Sequence, residues 1–291
     1  MSTRAGSAGR IDLPAPHPLS GAVGAPDRVP FTHTAEGVDM VDRRAFLIGG
    51  GRLVGTGGLV GAASLGGLTA CAPPPDLEGV FSVGVASGLH SPDEVVLWTR
   101  VDLANAPGTT AVAWELATDA SFGTVVESGN AEVDPAADGC VKVLVGGLAP
   151  GTSYWFRFLG AGETSTVGRA RTLPDPASSP PSLRVAFCSC QSYAGGWYGA
   201  WRDIASRDLD AVLFLGDYIY ESIAIQLLRR LRPEPIDEAD TLEEYRAKYR
   251  LYRSDPDLQA AHAAHPLVPV WDDHEIANDY SRTIFTEDPE R

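Results

Sequence analysis

The sequence predicts an antiparallel β-sandwich of about seven strands followed by an α/β domain with a parallel sheet. Residues 78–173 contain short alternating apolar and polar runs separated by turn residues, which is the pattern of a sandwich. Residues 183–291 instead contain continuous apolar runs that alternate with segments of helical spacing, the pattern of an α/β sheet. A chain of 291 residues has room for both domains.

Residues 1–72 read as a leader rather than a folded domain. Arg43 and Arg44 precede a glycine-rich, weakly apolar stretch that ends in small residues, an arrangement that favours a twin-arginine export signal. The stretch is too rich in glycine, and too interrupted by Arg52, to predict a membrane span. A buried glycine-rich loop is the alternative. Residues 1–40 are either unstructured leader or the result of an early start codon.

Two cleavage patterns overlap at the end of this leader. "LTAC" (68–71) is similar to a lipobox, which would place a lipid on Cys71, whereas "ACA" (70–72) fits ordinary signal peptidase. The lipoprotein is the preferred interpretation. In both cases we expect the twin-arginine export machinery as a partner, and a protein that is periplasmic, extracellular or lipid-anchored on the outer side of the membrane.

The sandwich region carries a recognisable crossover motif. "GLAPGTSYWFRF" (147–158) resembles the tyrosine corner of fibronectin type III and immunoglobulin-like sandwiches, in which a phenol binds the backbone of a crossover. We therefore expect Tyr154 to make that bond, and Trp98 and Trp114 to lie in the core. Residues 174–182 are rich in proline and serine and form a linker.

Three predicted strands in the region 183–291 end in polar residues. The strands lie within 183–190, 209–217 and 266–275, and their continuous apolar runs predict burial on both faces. Because ligands bind at the carboxyl ends of parallel strands, we expect these polar groups to converge. A cation would offset the cost of burying so many charges, so the pattern favours a metal site over ordinary loop acids. The polar groups are Cys188, Ser189, Cys190, Gln191, Asp217, Tyr220, Asp272, Asp273, His274 and Glu275.

These strand ends carry a family resemblance. "GDYIY" (216–220) has the form G-D-x-x-Y of purple acid phosphatases and related calcineurin-like phosphoesterases, and "DDHE" (272–275) is similar to their G-N-H-E block, with two aspartates replacing Gly and Asn. "SCQSYAGGWYGAWRDIA", "LGDYIYES", "WDDHEIANDY" and the upstream "GVASGLHSPDEVVLWTR" resemble blocks of PhoD-like alkaline phosphatases more closely. Over residues 78–291 the resemblance implies a fibronectin III or immunoglobulin-like sandwich. The first half of an α/β metallophosphoesterase domain, truncated on its C-terminal side, would follow.

The resemblance also implies a site with Fe³⁺ and Ca²⁺. Cys190 would be a thiolate ligand of iron, Asp217 would bridge the two metals, and Tyr220 would complete the iron side. Phenolate and thiolate suit ferric iron, whereas oxygen donors suit calcium. Cys188, two residues before Cys190, is expected to be a packing residue.

The calcium side and the substrate contact follow from the same resemblance. Asp273 and Asn278 are the candidates for the calcium side or its surroundings, and His274 would face the phosphoryl oxygens. The implied activity is hydrolysis of phosphomonoesters, and of phosphodiesters as a further class, by a metal-activated water. A cysteine-nucleophile phosphatase is a poor alternative, because the residues after Cys190 are "QSYAGGW" and contain no arginine. A second pair, His262 and His265, lies one helical turn apart and is a weaker metal candidate.

Two functional hypotheses remain open at this point. The formal charge of −15 argues against a nucleic-acid-binding surface. The family resemblance implies a phosphate ester as the substrate. After "SRTIFTEDPER" (281–291) the chain lacks the later histidine and acid ligands of the family. The alternative to an exported phosphatase is therefore a truncated, non-catalytic fragment or pseudoenzyme of that family.

Overall fold

The computed structural model describes residues 77–223 and 231–280, and their first part is built from antiparallel strands. These strands are β1 (Val85–Leu89), β2 (Val95–Arg100), β3 (Ala111–Ala117), β4 (Val125–Glu132), β5 (Cys140–Val145), β6 (Ser153–Gly160), β7 (Glu163–Thr164) and β8 (Gly168–Arg171). One sheet has the order β1-β2-β5 and the other the order β4-β3-β6-β7, with β8 also paired to β6. One apolar core contains inward-facing residues of both sheets, as alternation along each strand requires.

The crossover before β6 contains the predicted tyrosine corner. The phenol oxygen of Tyr154 accepts a hydrogen bond from the backbone nitrogen of Ala149 at 2.9 Å. The Tyr154 ring is itself buried in the sandwich core. The motif therefore fixes the crossover to the strand that follows it.

Only one of the two tryptophans packs as the sequence predicts. Trp114 packs against the sandwich core. Along β2, however, Val95 and Leu97 fill the core, so Trp98 points to the opposite face of the strand. There the guanidinium of Arg253 lies 4.4 Å from the centre of the Trp98 ring. The expectation that Trp98 is a core residue is wrong, because strand alternation directs it outward.

The second part is a parallel sheet with three helices. The strands are β9 (Val185–Cys188), β10 (Ala211–Leu215) and β11 (Leu267–Val270), in the order β9-β10-β11, and the helices are α1 (Gly199–Ser206), α2 (Leu242–Arg253) and α3 (Pro256–Ala264). At the start of α2, Thr241 and Glu244 form the expected capping box, which satisfies free backbone N–H groups. Asp255 caps α3 by accepting hydrogen bonds from the backbone nitrogens of Asp257 and Leu258.

Helices cover one face of the parallel sheet. Val212 and Phe214 of β10 point to that face and pack with side chains of all three helices. On the other face Phe187 is 73% exposed, and Leu215 and Val270 are exposed as well. The prediction that all three strands are buried on both faces is therefore wrong for the described residues, because these outward-facing side chains are exposed.

Polar contacts join α2 and α3 to the sandwich. Arg253 donates hydrogen bonds to the carbonyl oxygen of Val83 at 3.0 and 3.2 Å. The side-chain amide of Gln259 donates to the carbonyl oxygen of Ser82 at 3.1 Å. The two parts consequently share a polar interface around the end of α2.

The predicted leader lies outside the described residues. Arg43, Arg44 and Cys71 all belong to it, so their assignments stay predictions. Within the described ranges, no helix is both long enough and apolar enough to cross a bilayer.

Candidate metal centre

The carboxyl ends of β10 and β11 approach each other closely at Gly216. Its φ is +92°, and a Cβ added there would lie 2.7 Å from the backbone nitrogen of Asp272. Any other residue at this position would need one of the strand ends to shift. Glycine therefore lets the residue after it, Asp217, come next to the segment that follows β11.

Asp217, directly after Gly216, is a buried acid with 6% of its surface exposed. Its backbone φ of +58° turns the chain sharply after the strand. Its Oδ2 accepts a hydrogen bond from the Tyr220 phenol at 3.1 Å. Its Oδ1 is buried and has no hydrogen-bond partner among the described residues. A buried carboxylate oxygen without a donor needs compensation, and a cation is one form of it.

Three candidate ligands meet at this point. One oxygen each of Asp217 and Asp273 and one ring nitrogen of His274 all lie within 4.8 Å of one another. The Tyr220 ring lies beside them, with its centre 4.3 Å from that of the His274 ring. Four of the side chains singled out from the sequence are thus neighbours in space.

His274 is oriented by an acid that follows the second strand. Its Nδ1 is 2.7 Å from Oε2 of Glu221. Oε1 of Glu221 accepts a hydrogen bond from the backbone nitrogen of Asn278 at 2.9 Å. Burial lowers the pKa of His274, but the Glu221 hydrogen bond and the charges of Glu221, Asp217 and Asp273 outweigh it, so the net pKa is raised. This pairing leaves Nε2 as the ring nitrogen available to a ligand.

Asp273 is held by the turn that it begins. Its Oδ2 accepts from the backbone nitrogen of Asp279 at 2.6 Å, and its Oδ1 accepts from that of His274 at 3.0 Å. Burial raises the pKa of Asp273, but these donors and the nearby imidazole outweigh it, and the net direction is down. The carboxylate is therefore kept in its charged form.

The first strand brings Cys190 to the same edge. Cys190 is exposed, has a φ of +59°, and donates its backbone N–H to the carbonyl oxygen of Gly216 at 3.1 Å. Burial raises the pKa of the Tyr220 phenol, and Asp217 and Cys190 add to that rise. Cys190 also lines a cavity of about 360 Å³ together with Trp197, which is largely exposed.

Cys188 differs from Cys190 in its surroundings. It packs against the core between the sheet and the helices. Burial raises the pKa of its thiol to about 12. A thiol with that pKa stays protonated, which agrees with the packing role expected for it.

Asn278 lies at the exposed margin of this group. Its side-chain nitrogen donates to Oδ2 of Asp279 at 3.0 Å. Its backbone nitrogen is bound by Glu221, as described above. The described contacts of Asn278 thus lie within the turn after Asp273.

The two histidines of the weaker candidate pair have separate partners. The Nε2 of His262 is 2.9 Å from the phenol oxygen of Tyr218, and the Nε2 of His265 is 3.0 Å from the carbonyl oxygen of Ile204. Both rings are buried. Their environment is that of packing residues in the helix layer.

Glu275, which the sequence placed among the polar strand-end residues without a specific role, ties the two strand ends together. The Glu275 carboxylate accepts hydrogen bonds from the backbone nitrogens of Asp217 at 3.1 Å and Asp272 at 2.9 Å. It also accepts a short bond from the backbone nitrogen of Tyr218. Glu221, which orients His274, was not among the candidate residues. The one available signal was that an acid ends "DDHE" and another directly follows "GDYIY", and it does not specify a partner.

Comparisons with known proteins identify the family of this chain. The family model described as "PhoD-like phosphatase, N-terminal domain" matches residues 69–174, and the model described as "PhoD-like phosphatase" matches residues 185–290. Alkaline phosphatase D of Bacillus subtilis (strain 168) is 40% identical over 253 residues, covering 84% of this chain and 43% of that protein.

A solved structure described as "Structure of PhoD" is also 40% identical, with a TM-score of 0.67 over 72% of this chain and 42% of that one. The chain therefore spans less than half the length of the curated relative that it matches. With both family models matched in order and this identity across the sandwich and the parallel sheet, the chain belongs to the PhoD-like phosphatase family.

Proposed function

We propose that this chain supplies the phosphate-binding and metal-binding strand ends of an exported phosphatase. The substrates would be phosphomonoesters, with phosphodiesters as a further class. The parallel sheet would be the first part of a metallophosphoesterase domain. One observation carries the proposal: Asp217, Asp273 and His274 converge at the carboxyl edge of that sheet, and Oδ1 of Asp217 is buried there without a donor among the described residues.

The donor set fits the expected metals. Cys190, Asp217 and Tyr220 offer a thiolate, a carboxylate and a phenolate, which suit Fe³⁺. Asp217 and Asp273 offer oxygens for Ca²⁺, and Asn278 would join them through its side-chain oxygen. When bound, such a pair of metals supplies charge stabilisation for the phosphoryl group and an activated water.

The side chains of the chain itself have separate tasks. His274, with Nδ1 held by Glu221, directs Nε2 at a phosphoryl oxygen and can donate a hydrogen bond to it. Glu275 keeps Asp217 and the start of the "DDHE" segment at a fixed separation through three backbone N–H groups. Positioning of this kind matters because phosphoryl transfer depends mainly on orientation and electrostatic stabilisation.

The test combines metal content with turnover. We expect the purified chain, supplied with iron and calcium, to bind both and to hydrolyse p-nitrophenyl phosphate, with bis-p-nitrophenyl phosphate reporting diesterase activity. Asp217→Asn should abolish both metal retention and turnover, whereas Asp175→Asn, in the exposed linker, should change neither. Metal binding without turnover would favour the non-catalytic alternative. Equal metal retention in Asp217→Asn would overturn the proposed site.

We further propose export by the twin-arginine route, followed by lipidation at Cys71. The support is the sequence alone: Arg43 and Arg44 before the glycine-rich stretch, and "LTAC" at its end. Replacing both arginines by lysine should retain the protein in the cytoplasm. Cys71→Ala should remove incorporation of labelled palmitate, and continued labelling would exclude a lipid at this position.

A further inference from the structure

A second cavity lies between the sandwich and α2. Its volume is about 320 Å³, and it contains none of the candidate metal ligands. Its size is at the lower end of the range for small-molecule sites. The walls include Trp98, Arg100 and Cys140 from the sandwich and Arg246, Tyr249 and Arg253 from α2.

Two of the four arginines around this cavity are paired with acids. Arg100 forms a two-pronged contact with Asp138, at 3.0 and 3.1 Å. Arg250 contacts the same carboxylate at 2.8 Å and also Glu243 at 2.5 Å. The carboxylate that lines the cavity, Asp138, is therefore already paired with Arg100 and Arg250.

The other two arginines contact neutral acceptors. Arg253 is only 8% exposed, and its guanidinium donates to the carbonyl oxygens of Val83 and Val85. Arg246 donates to the carbonyl oxygen of Ala136 at 2.5 Å. Within the described ranges, no carboxylate lies at salt-bridge distance from either guanidinium. Burial of the Arg253 cation without a counter-charge is costly. Arg246, which is only partly buried, adds a second positive charge at the cavity wall.

A third polar group at this cavity is also incompletely satisfied. Nη1 of Arg100 is buried and has no hydrogen-bond partner among the described residues. Its nearest acid is Asp102, at 3.5 Å, beyond the usual length of a hydrogen bond between such groups. Arg100 is nine-tenths buried as a residue, so this nitrogen cannot rely on bulk water.

The remaining wall is apolar and aromatic. Trp98 presents its ring on the outer face of β2, with the Arg253 guanidinium over it, and Tyr249 and Val83 extend that wall. A bare inorganic anion would leave this wall in contact with water. A ligand that carries an aromatic or aliphatic body beside its charged group would cover it.

We propose that this cavity binds a small organic phosphate or phosphonate. Two guanidiniums without a carboxylate partner among the described residues match a dianionic phosphoryl group better than a singly charged carboxylate ligand. Each guanidinium has five N–H donors, so donors remain beyond those bound to the backbone carbonyl oxygens. The apolar body of the ligand packs against Trp98. Bound in this position, the ligand joins the sandwich to α2.

The test uses the whole chain freed of metal, so that the strand-end site does not compete. Isothermal titration with phenylphosphonate should show saturable binding, with benzenesulfonate, a monoanion of similar shape, at least about tenfold weaker. Arg246→Gln should weaken phenylphosphonate binding about tenfold or more. Arg202→Gln, on an exposed arginine of α1 with a side chain 76% accessible, is the matched control and should leave it unchanged.

Two results would overturn the proposal. One is the absence of saturable phenylphosphonate binding. The other is phenylphosphonate affinity that is unaffected by Arg246→Gln and by Arg253→Lys, a variant that keeps the charge but loses the planar group; its loss in Asp217→Asn would then place binding at the strand ends. Circular dichroism of each variant separates a lost site from a lost fold.

Discussion

Replacing Glu275 by glutamine tests whether one buried carboxylate holds the two strand ends together. Glu275 is 7% exposed and accepts backbone N–H groups from Asp217, Tyr218 and Asp272. Two of the donors meet on Oε2 and one on Oε1. The substitution keeps the size of the side chain and removes only the charge and one acceptor.

The expected cost follows from that count. The glutamine oxygen can keep the two donors on the Oε2 side, but its NH₂ group then faces the Tyr218 N–H, so one buried donor loses its acceptor. A hydrogen bond to a charged group contributes about 1.5–3 kcal/mol. The other two bonds also weaken because the acceptor is no longer charged. We expect Glu275→Gln to lower the free energy of unfolding by about 3 kcal/mol.

Urea unfolding followed by circular dichroism measures this difference without any requirement for activity. Glu127→Gln is the matched control, because Glu127 is exposed on β4 and should cost less than about 0.5 kcal/mol. If Glu275→Gln proved as stable as that control, the three hydrogen bonds would not be holding the strand ends, and the reasoning would be refuted.

Three further perturbations are predicted. Tyr154→Phe should lower the free energy of unfolding by about 1 kcal/mol, because the Ala149 N–H loses its acceptor; an unchanged urea midpoint would contradict this. Burial, with Arg253 adding to it, holds the pKa of His262 well below its ordinary value of 6.5. The unfolded chain therefore binds a proton at His262 that the folded chain does not bind, and the free energy of unfolding falls by about 1 kcal/mol from about pH 7 to about pH 5.5. A smaller fall over this range in His262→Gln than in the unsubstituted protein would support this, and an identical fall would refute it. Phe187→Ser should reduce binding of an apolar fluorescent dye while changing stability by less than about 0.5 kcal/mol, because Phe187 is largely exposed; unchanged dye binding would show that another surface binds the dye.

The order of elements and the chemistry of the strand ends could be predicted from the sequence. The capping box of Thr241 and Glu244 and the tyrosine corner of Tyr154 depend on residues three to five positions apart, so their spacing is visible in the chain. The placement of Asp217 also follows from local sequence, since it comes directly after an apolar strand and a glycine. Local hydrogen bonds and strand periodicity act over these short distances.

The partners of these residues were decided only by the tertiary structure. His274 is oriented by Glu221, 53 positions away, and Asp217 is tied to Glu275 across 58 positions. Trp98 lies outside the sandwich core because Val95 and Leu97 on the other face of β2 point into it. Phe187 is exposed because the helices cover only the opposite face of the parallel sheet. Periodicity states that a strand has apolar side chains, but which face is covered depends on what packs there. The sequence therefore determines which strand positions are apolar, and the tertiary packing determines which of those positions are buried.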